Sequence, residues 1–404
     1  MTKSKLYSYF NYFFIAIVLL WKPLQGTVLT FDGKGRILLL LTVMAFVLNC
    51  NRHIFKKLLF SKPIVLWLVW CLYVTINTYF HGFRSENLSF SFFIFNHVYC
   101  PCMIMAVSAY EYIKNARRFL KVMLWIFLIY TFIGAFVMDI GYVAENEGAV
   151  NVNTLGNALA LNVMMIIFFT GVLYCRKEIT LKTTIVLVLF AIGVVVISAT
   201  RKALGAGVIM IIALMLSQVK LTFSSFLKMI LPVIVLYYGL TFVMGNTQMG
   251  ERFADSEEKS SKFVKEYNVG NNPFLKMVGD RAPQYILGTQ LFIEHPITGI
   301  GLTNFQRESR YPYRLHTEYM VQICECGIIG CVLFVMFYVV IIKQLLAYYR
   351  RDFIRSSAIV MLGGIAALLF IYITAWSYSI CTYFAVLGTI VGFISNCNIK
   401  CSKR

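Results

Sequence analysis

The chain has 404 residues, 59% of them hydrophobic and only 14% charged, with a mean hydropathy of +0.73 and a net charge of +19. So much apolar surface excludes an ordinary soluble domain. The positive charge is dispersed between apolar runs rather than gathered into one patch, which excludes a nucleic-acid binder.

A helical crossing of the hydrocarbon core needs about 20 apolar residues. Runs of that kind predict spans over 6–21, 37–50, 64–80, 91–113, 119–138, 154–174, 183–200, 203–219, 226–245, 317–342, 356–375 and 378–396, about twelve in all. The run at 37–50 is short, and its helix can begin nearer Thr27. Because the runs are continuous rather than alternating, they predict helices and not the strands of a membrane barrel. The expected fold class is an all-α polytopic membrane protein. Residues 1–245 carry the first nine helices, 246–316 form a large outer loop containing an amphipathic helix, and 317–404 carry the last three helices and a tail.

With the N-terminus placed in the cytoplasm, more than half of the 37 Lys and Arg fall on the inner side, among them Lys56, Lys57, Arg117, Arg118, Arg350 and Arg351. The short outer loops carry few, namely Lys22, Lys34, Arg36, Arg84, Arg201 and Lys202. This bias predicts both termini in the cytoplasm and 246–315 on the outer face. Lys3 and Lys5 precede the first span, but no small-residue cleavage site follows it, so it reads as a retained helix. The 11 cysteines lie mostly in or beside spans. Cys100-Pro-Cys102 and Cys324-Glu-Cys326 have neither finger spacing nor a histidine partner, and read as structural thiols. No phosphate-binding or dinucleotide motif is present, and neither a cofactor nor a metal is expected.

The outer segment divides in two. Residues 246–277 are polar and of mixed charge. From Arg281 the pattern changes: Tyr285, Ile286, Thr289, Phe292 and Ile293 recur at helical spacing up to Pro296. This predicts an amphipathic helix over 282–294 lying on the membrane surface. A tight turn at Pro296-Ile297-Thr298-Gly299-Ile300-Gly301 follows, then Arg307, Arg310, Tyr311, Tyr313 and Arg314, and finally His316 where the chain re-enters the bilayer. Taken singly, an arginine at a helix end can simply meet lipid headgroups, and His97 in the fourth span can be an interhelical hydrogen-bonding residue. His295, just before Pro296, reads as structural.

Arg281 followed by Phe292-Ile293-Glu294-His295-Pro296-Ile297, then Gly299-Ile300-Gly301 and Asn304-Phe305, and then His316 with Gly327 and Gly330, resembles the C-terminal half of the O-antigen ligase and O-antigen polymerase superfamily. The family's histidine is followed by Asn, Ser or Gln, nine further residues, Gly, two residues and Gly. Here Thr317 departs from that second position while keeping a hydrogen-bonding group. The family also has a small-polar-Arg step at an outer helix end, matched by Ser198-Ala199-Thr200-Arg201.

The resemblance implies a metal-independent glycosyltransferase at the periplasmic face of the inner membrane. It would take a glycan from undecaprenyl diphosphate and attach it to an acceptor sugar hydroxyl. In a ligase the acceptor is lipid A–core, in lipopolysaccharide biosynthesis; in a polymerase of O-antigen, capsule or exopolysaccharide it is another lipid-linked repeat unit. The implied partners are these two substrates, membrane lipids and a chain-length regulator.

Arg201, Arg281 and His316 are the expected catalytic residues. Guanidinium groups bind phosphate oxygens bidentately and never lose their proton, which suits Arg201 and Arg281 to the donor diphosphate. His316 suits the incoming hydroxyl. Arg310, Arg314, Tyr311 and Tyr313 suit acceptor phosphates and sugars, and equally lipid headgroups. The long single loop running directly into the histidine motif is the ligase-like arrangement. A transporter of lipid-linked sugars is the competing class, but it would need midplane ionisable residues and repeat symmetry.

The topology has a direct check. In a cysteine-free background, an impermeant thiol reagent added from outside should label a cysteine at Ser260 and spare one at Ser356. The reverse pattern would put the donor glycan on the wrong side for a transferase.

Overall fold

The computed structural model describes residues 3–24, 36–83, 89–136, 152–198, 201–218, 281–373, 375 and 380–401. Among them all regular structure is helical. Five helices are long and apolar enough to cross a membrane: Lys62–Phe80, Phe90–Phe132, Gly327–Tyr349, Ile354–Ile371 and Cys381–Ile399. The bent pair Arg36–Cys50 and His53–Leu59, meeting at 114°, makes six if it counts as one span. Shorter apolar helices at Lys5–Leu19, Asn162–Cys175, Leu181–Val195 and Lys202–Gln218 fall on four more of the expected segments. The expected count of about twelve is therefore not reached among the described residues. The expected span 226–245 and loop residues 246–280 lie outside them.

Two boundaries differ from the sequence reading. The spans expected at 91–113 and 119–138 appear as one helical run with a π-helical turn at Phe95–Tyr99 and a non-helical residue at Asn115 (φ −156°, ψ 84°). A straight 43-residue helix would be about 65 Å long, twice a bilayer core. Asn115 divides it, and its Oδ1 accepts the Arg118 N–H at 3.0 Å, the bond by which an N-cap restarts a helix. The span expected at 317–342 begins instead at Gly327, whose φ of +64° ends the preceding helical turns. Residues 317–326 thus form a separate segment ahead of the span.

The chain forms two compact units, Met1–Phe119 with Arg281–Gln344 and Tyr372–Arg404, and Leu120–Asp280 with Leu345–Ile371. In the first unit, α1 (Lys3–Leu24), α2 (Arg36–Cys50), α3 (His53–Leu59), α4 (Lys62–Phe80), α5 (Phe90–Ile94) and the start of α6 (Cys100–Phe136) lead the chain. The second holds α7 (Val152–Cys175), α8 (Leu181–Ser198) and α9 (Arg201–Gln218). The first unit resumes with α10 (Ala282–Glu294), α11 (Phe305–Ser309), α12 (Glu318–Met320, continued by a π turn Val321–Glu325) and α13 (Gly327–Tyr349). After α14 (Asp352–Ile371) of the second unit, it closes with α15 (Cys381–Cys401).

In the second unit, glycines let helices approach where lipid offers no hydrophobic drive. A Cβ at Gly171 of α7 would meet Val360 of α14 at 3.2 Å and Leu214 of α9 at 3.4 Å, and Ser356 Oγ donates to Ser217 O at 2.7 Å. The first unit uses the same device: a Cβ at Gly392 of α15 would lie 2.9 Å from Ala109 O of α6. Its core is aromatic. Trp67 stacks on Trp70 at 4.7 Å and packs on Phe337 of α13 at 4.9 Å and Phe384 of α15 at 5.1 Å. Such ring pairs add about 1 kcal/mol each beyond area burial. Buried Glu111 of α6 ties in α1, accepting from Ser8 Oγ at 3.0 Å and Asn11 Nδ2 at 2.7 Å. Asn49 of α2 joins them by donating to Asn11 Oδ1 at 2.8 Å.

A backbone clamp positions the rest of the first unit. The turn Pro296–Gly301 lies along the break at Gly327: Ile300 N donates to Cys324 O at 3.1 Å, Gly301 N to Glu325 O at 2.9 Å, and Ile328 N to Pro296 O at 2.9 Å. Gly299 and Gly327 have φ of +69° and +64°. A Cβ at Gly299 would fall 2.6 Å from Gly327 N, and one at Gly327 would overlap Gly299 N and Ile297 O. The two main chains touch, and no side chain fits between them. Helix α4 closes the clamp: Tyr73 OH donates to Cys326 O at 2.7 Å and Asn77 Nδ2 to Thr298 O at 2.9 Å, while Leu302 N donates to Thr78 Oγ1 at 3.2 Å.

Replacing Gly327 by Ala adds a left-handed backbone cost of about 1–2 kcal/mol to a steric clash. Gly327→Ala should therefore lower the thermal midpoint of the detergent-purified protein by several degrees. Gly193→Ala, where an added Cβ meets nothing within 4 Å, should leave it unchanged or raise it. Equal midpoints for the two variants would contradict the clamp.

Candidate functional site

Arg281 occupies the N-cap position of α10, whose first turn carries Pro283 where the missing N–H costs nothing. The helix matches the expected bounds, and one of its faces packs on protein. Gln284, Tyr285, Gly288 and Leu291 turn inward, while Thr289 is exposed and Ile293 is 72% exposed. The reason is Gly288: it sits against Met320 and Cys324, so α10 packs on the 318–325 segment through its small residue.

That packing joins the two halves of the motif. Buried Gln284 accepts the His316 N–H through Oε1 at 2.7 Å. Tyr285 OH lies 2.9 Å from Thr317 Oγ1 and donates to Ile373 O at 2.8 Å. Burial pushes the Tyr285 phenol up, and the Thr317 hydrogen bond and the Arg281 charge pull it partly back. Arg281 and His316, both half-buried, are thus linked by the first turn of α10. Thr317, the departure from the family pattern, supplies one of the links.

Beneath His316 runs a buried polar chain. Trp70 Nε1 of α4 donates to Gln322 Oε1 at 2.9 Å, and Gln322 Nε2 donates to Glu318 Oε1 at 2.6 Å. Glu318 N donates to Tyr372 O at 3.0 Å. The first bond fixes the histidine segment to α4 and the last fixes it to Tyr372, while the middle one joins two residues of the segment.

The loop ahead of His316 displays the other expected residues. Arg310, at φ +57°, Tyr313 and Arg314 are exposed, and the rings of Tyr311 and Tyr313 meet edge to face at 5.7 Å. Arg314 Nε donates to Gln306 Oε1 at 3.3 Å. Arg307 instead anchors the loop, donating to His81 O at 3.2 Å and Gly82 O at 3.3 Å while paired with Glu308 at 2.6 Å. His81, at the end of α4, is held below the usual histidine range by burial, then by His295 and Arg307. His97 packs on Phe93 with ring centroids 5.1 Å apart and the rings tilted by 37°. Arg201 opens α9 of the second unit, and Arg281 belongs to the first.

Residues 185–335 match the family described as O-antigen ligase. This part of the chain is similar to the O-antigen ligase and polymerase superfamily. No curated protein matches the chain. The matched segment takes in Arg201, Arg281 and His316, together with the Gly299–Gly327 clamp. It does not reach α4, whose Trp70, Tyr73, Asn77 and Thr78 hold that segment in place.

If Gln284 orients His316 through its main chain, Gln284→Ala should lower kcat for glycan transfer about tenfold or more, since small misplacements of a reacting group are costly. Donor binding should persist. Gln284→Glu keeps the acceptor oxygen and should recover most of the rate. Unchanged kcat in Gln284→Ala would remove the link from the mechanism.

Proposed function

We propose that this membrane protein transfers a glycan from undecaprenyl diphosphate to an acceptor sugar hydroxyl at the periplasmic face of the inner membrane. Specifically, it acts as an O-antigen ligase joining O-antigen to lipid A–core. The family match supports a membrane glycosyltransferase of the ligase and polymerase type. The observation that carries the proposal is the bond from His316 N to Gln284, one turn into the helix that Arg281 caps.

In this reading Arg281, with Arg201, binds the donor diphosphate and stabilises charge as the glycosidic C–O bond breaks, an effect commonly worth about 3 kcal/mol per well-placed donor. The acceptor oxygen attacks the anomeric carbon, its proton passes to His316, and the lipid diphosphate leaves. Arg310, Arg314, Tyr311 and Tyr313 receive the acceptor on the loop that leads to His316. The polar cluster precedes the span Gly327–Tyr349 instead of lying inside it, which favours a transferase over a carrier.

With purified protein, lipid-diphosphate glycan and lipid A–core, transfer should proceed in the presence of a chelator. Arg281→Lys and Arg201→Lys should reduce it by an order of magnitude or more because the bidentate fork is lost. His316→Ala should abolish it while donor binding persists, and the triple variant should be little worse than the worst single one. In cells, deleting the gene should leave lipid A–core bare while the donor polymer accumulates. Single-repeat caps on the core would instead mean a polymerase, and full activity of His316→Ala would refute the assignment.

A further inference from the structure

Glu325 is buried, and the clamp uses only its main-chain oxygen, which accepts from Gly301 N at 2.9 Å and Asn77 Nδ2 at 3.3 Å. Its side chain therefore needs another explanation, since any apolar residue would sit there at less desolvation cost. The carboxyl group reaches the next loop. Oε1 accepts the Phe305 N–H at 3.4 Å. Thr303 is β-branched and held at φ +67°, a conformation such residues seldom adopt unless their surroundings impose it. From there the chain leads through α11 to Arg310, Tyr313 and Arg314.

We propose that Glu325 is a positioning residue for the acceptor, its buried carboxyl group holding residues 303–314 against the histidine segment so that the exposed arginines and tyrosines face the incoming sugar. This rests on the transferase reading above. The hold is graded by charge. Burial raises the Glu325 carboxyl to about 8, the loop N–H groups of Thr303 and Phe305 pull it down, Glu318 raises it and Arg314 lowers it. At neutral pH the group is mostly protonated and one of its oxygens is taken up by the proton. Above pH 8 the group is a carboxylate, and its bond from the Phe305 N–H gains charge.

The other groups on this side are the thiols of Cys324 and Cys326, Tyr73 and His81 from α4, and the Arg307–Glu308 pair. Burial holds both thiols protonated through this range, with Glu325 adding to the effect.

The test uses full-length protein with lipid-diphosphate glycan and lipid A–core from pH 6.5 to 9.5. The acceptor KM of the wild type should fall about fivefold across pH 8, the gain from charging the hydrogen bond that holds the loop, with donor KM unchanged. Glu325→Gln, the neutral isostere, should match the wild type at pH 6.5 and lack the fall. A spin label on a cysteine replacing Tyr313 should lose mobility across the same range in the wild-type background and not in Glu325→Gln. Identical acceptor KM and label profiles with and without the substitution would overturn the proposal, as would an effect confined to donor KM and kcat. If the unsubstituted protein transfers nothing, the transferase reading falls by itself, and the label still decides whether Glu325 holds the loop.

Discussion

Two glycine main chains in contact, Gly299 against Gly327, set the geometry on which the rest of this site depends. Both take left-handed backbone angles, and neither has space for a Cβ. Their contact lets the turn after α10 exchange hydrogen bonds with the break between the histidine segment and α13. A helix approaching from outside the span and a helix crossing it are thereby fixed to each other through main chain alone, which is stiffer than any side-chain contact. Tyr73 and Asn77 of α4 then satisfy the carbonyl oxygens that the clamp leaves over.

The consequence is chemical. Moving a glycan between two bound molecules requires the donor and acceptor groups to be held within a fraction of an ångström of a reactive geometry. Arg281 belongs to α10 and His316 to the segment on the far side of the clamp. Gln284 and Tyr285 bridge them by two hydrogen bonds. A polar chain through Gln322 and Trp70 then ties the histidine segment back to the core.

Much of this was legible in the sequence, and the rest was hidden for identifiable reasons. Composition and continuous apolar runs are properties of single segments, so they indicated an all-helical membrane protein, and Pro296 marked the end of α10. The spacing from His316 to Gly327 and Gly330 marked the family. The start of α13 was misplaced because Met320, Val321, Ile323 and Cys324 run directly into the span that follows; the backbone angle at Gly327 separates them. The docking face of α10 was not visible because hydrophobic periodicity weighs Ile293 and Phe292 above a glycine, yet the helix docks through Gly288. Gln284 and Glu325 went unnoticed, since a lone polar residue does not show its partner. The one available signal was their cost: Asn77, Thr78 and Glu325 are polar groups within or beside greasy stretches, where each must have a bonded role.

The central claim is that Arg281 and His316 face one donor–acceptor pair. The most direct measurement is a cryo-electron microscopy map of the purified protein in a lipid nanodisc with an undecaprenyl diphosphate glycan bound. The diphosphate should lie within hydrogen-bond reach of the Arg281 guanidinium, with the first sugar directed toward the His316 imidazole. A diphosphate seated away from Arg281, or a sugar directed away from His316, would contradict the account.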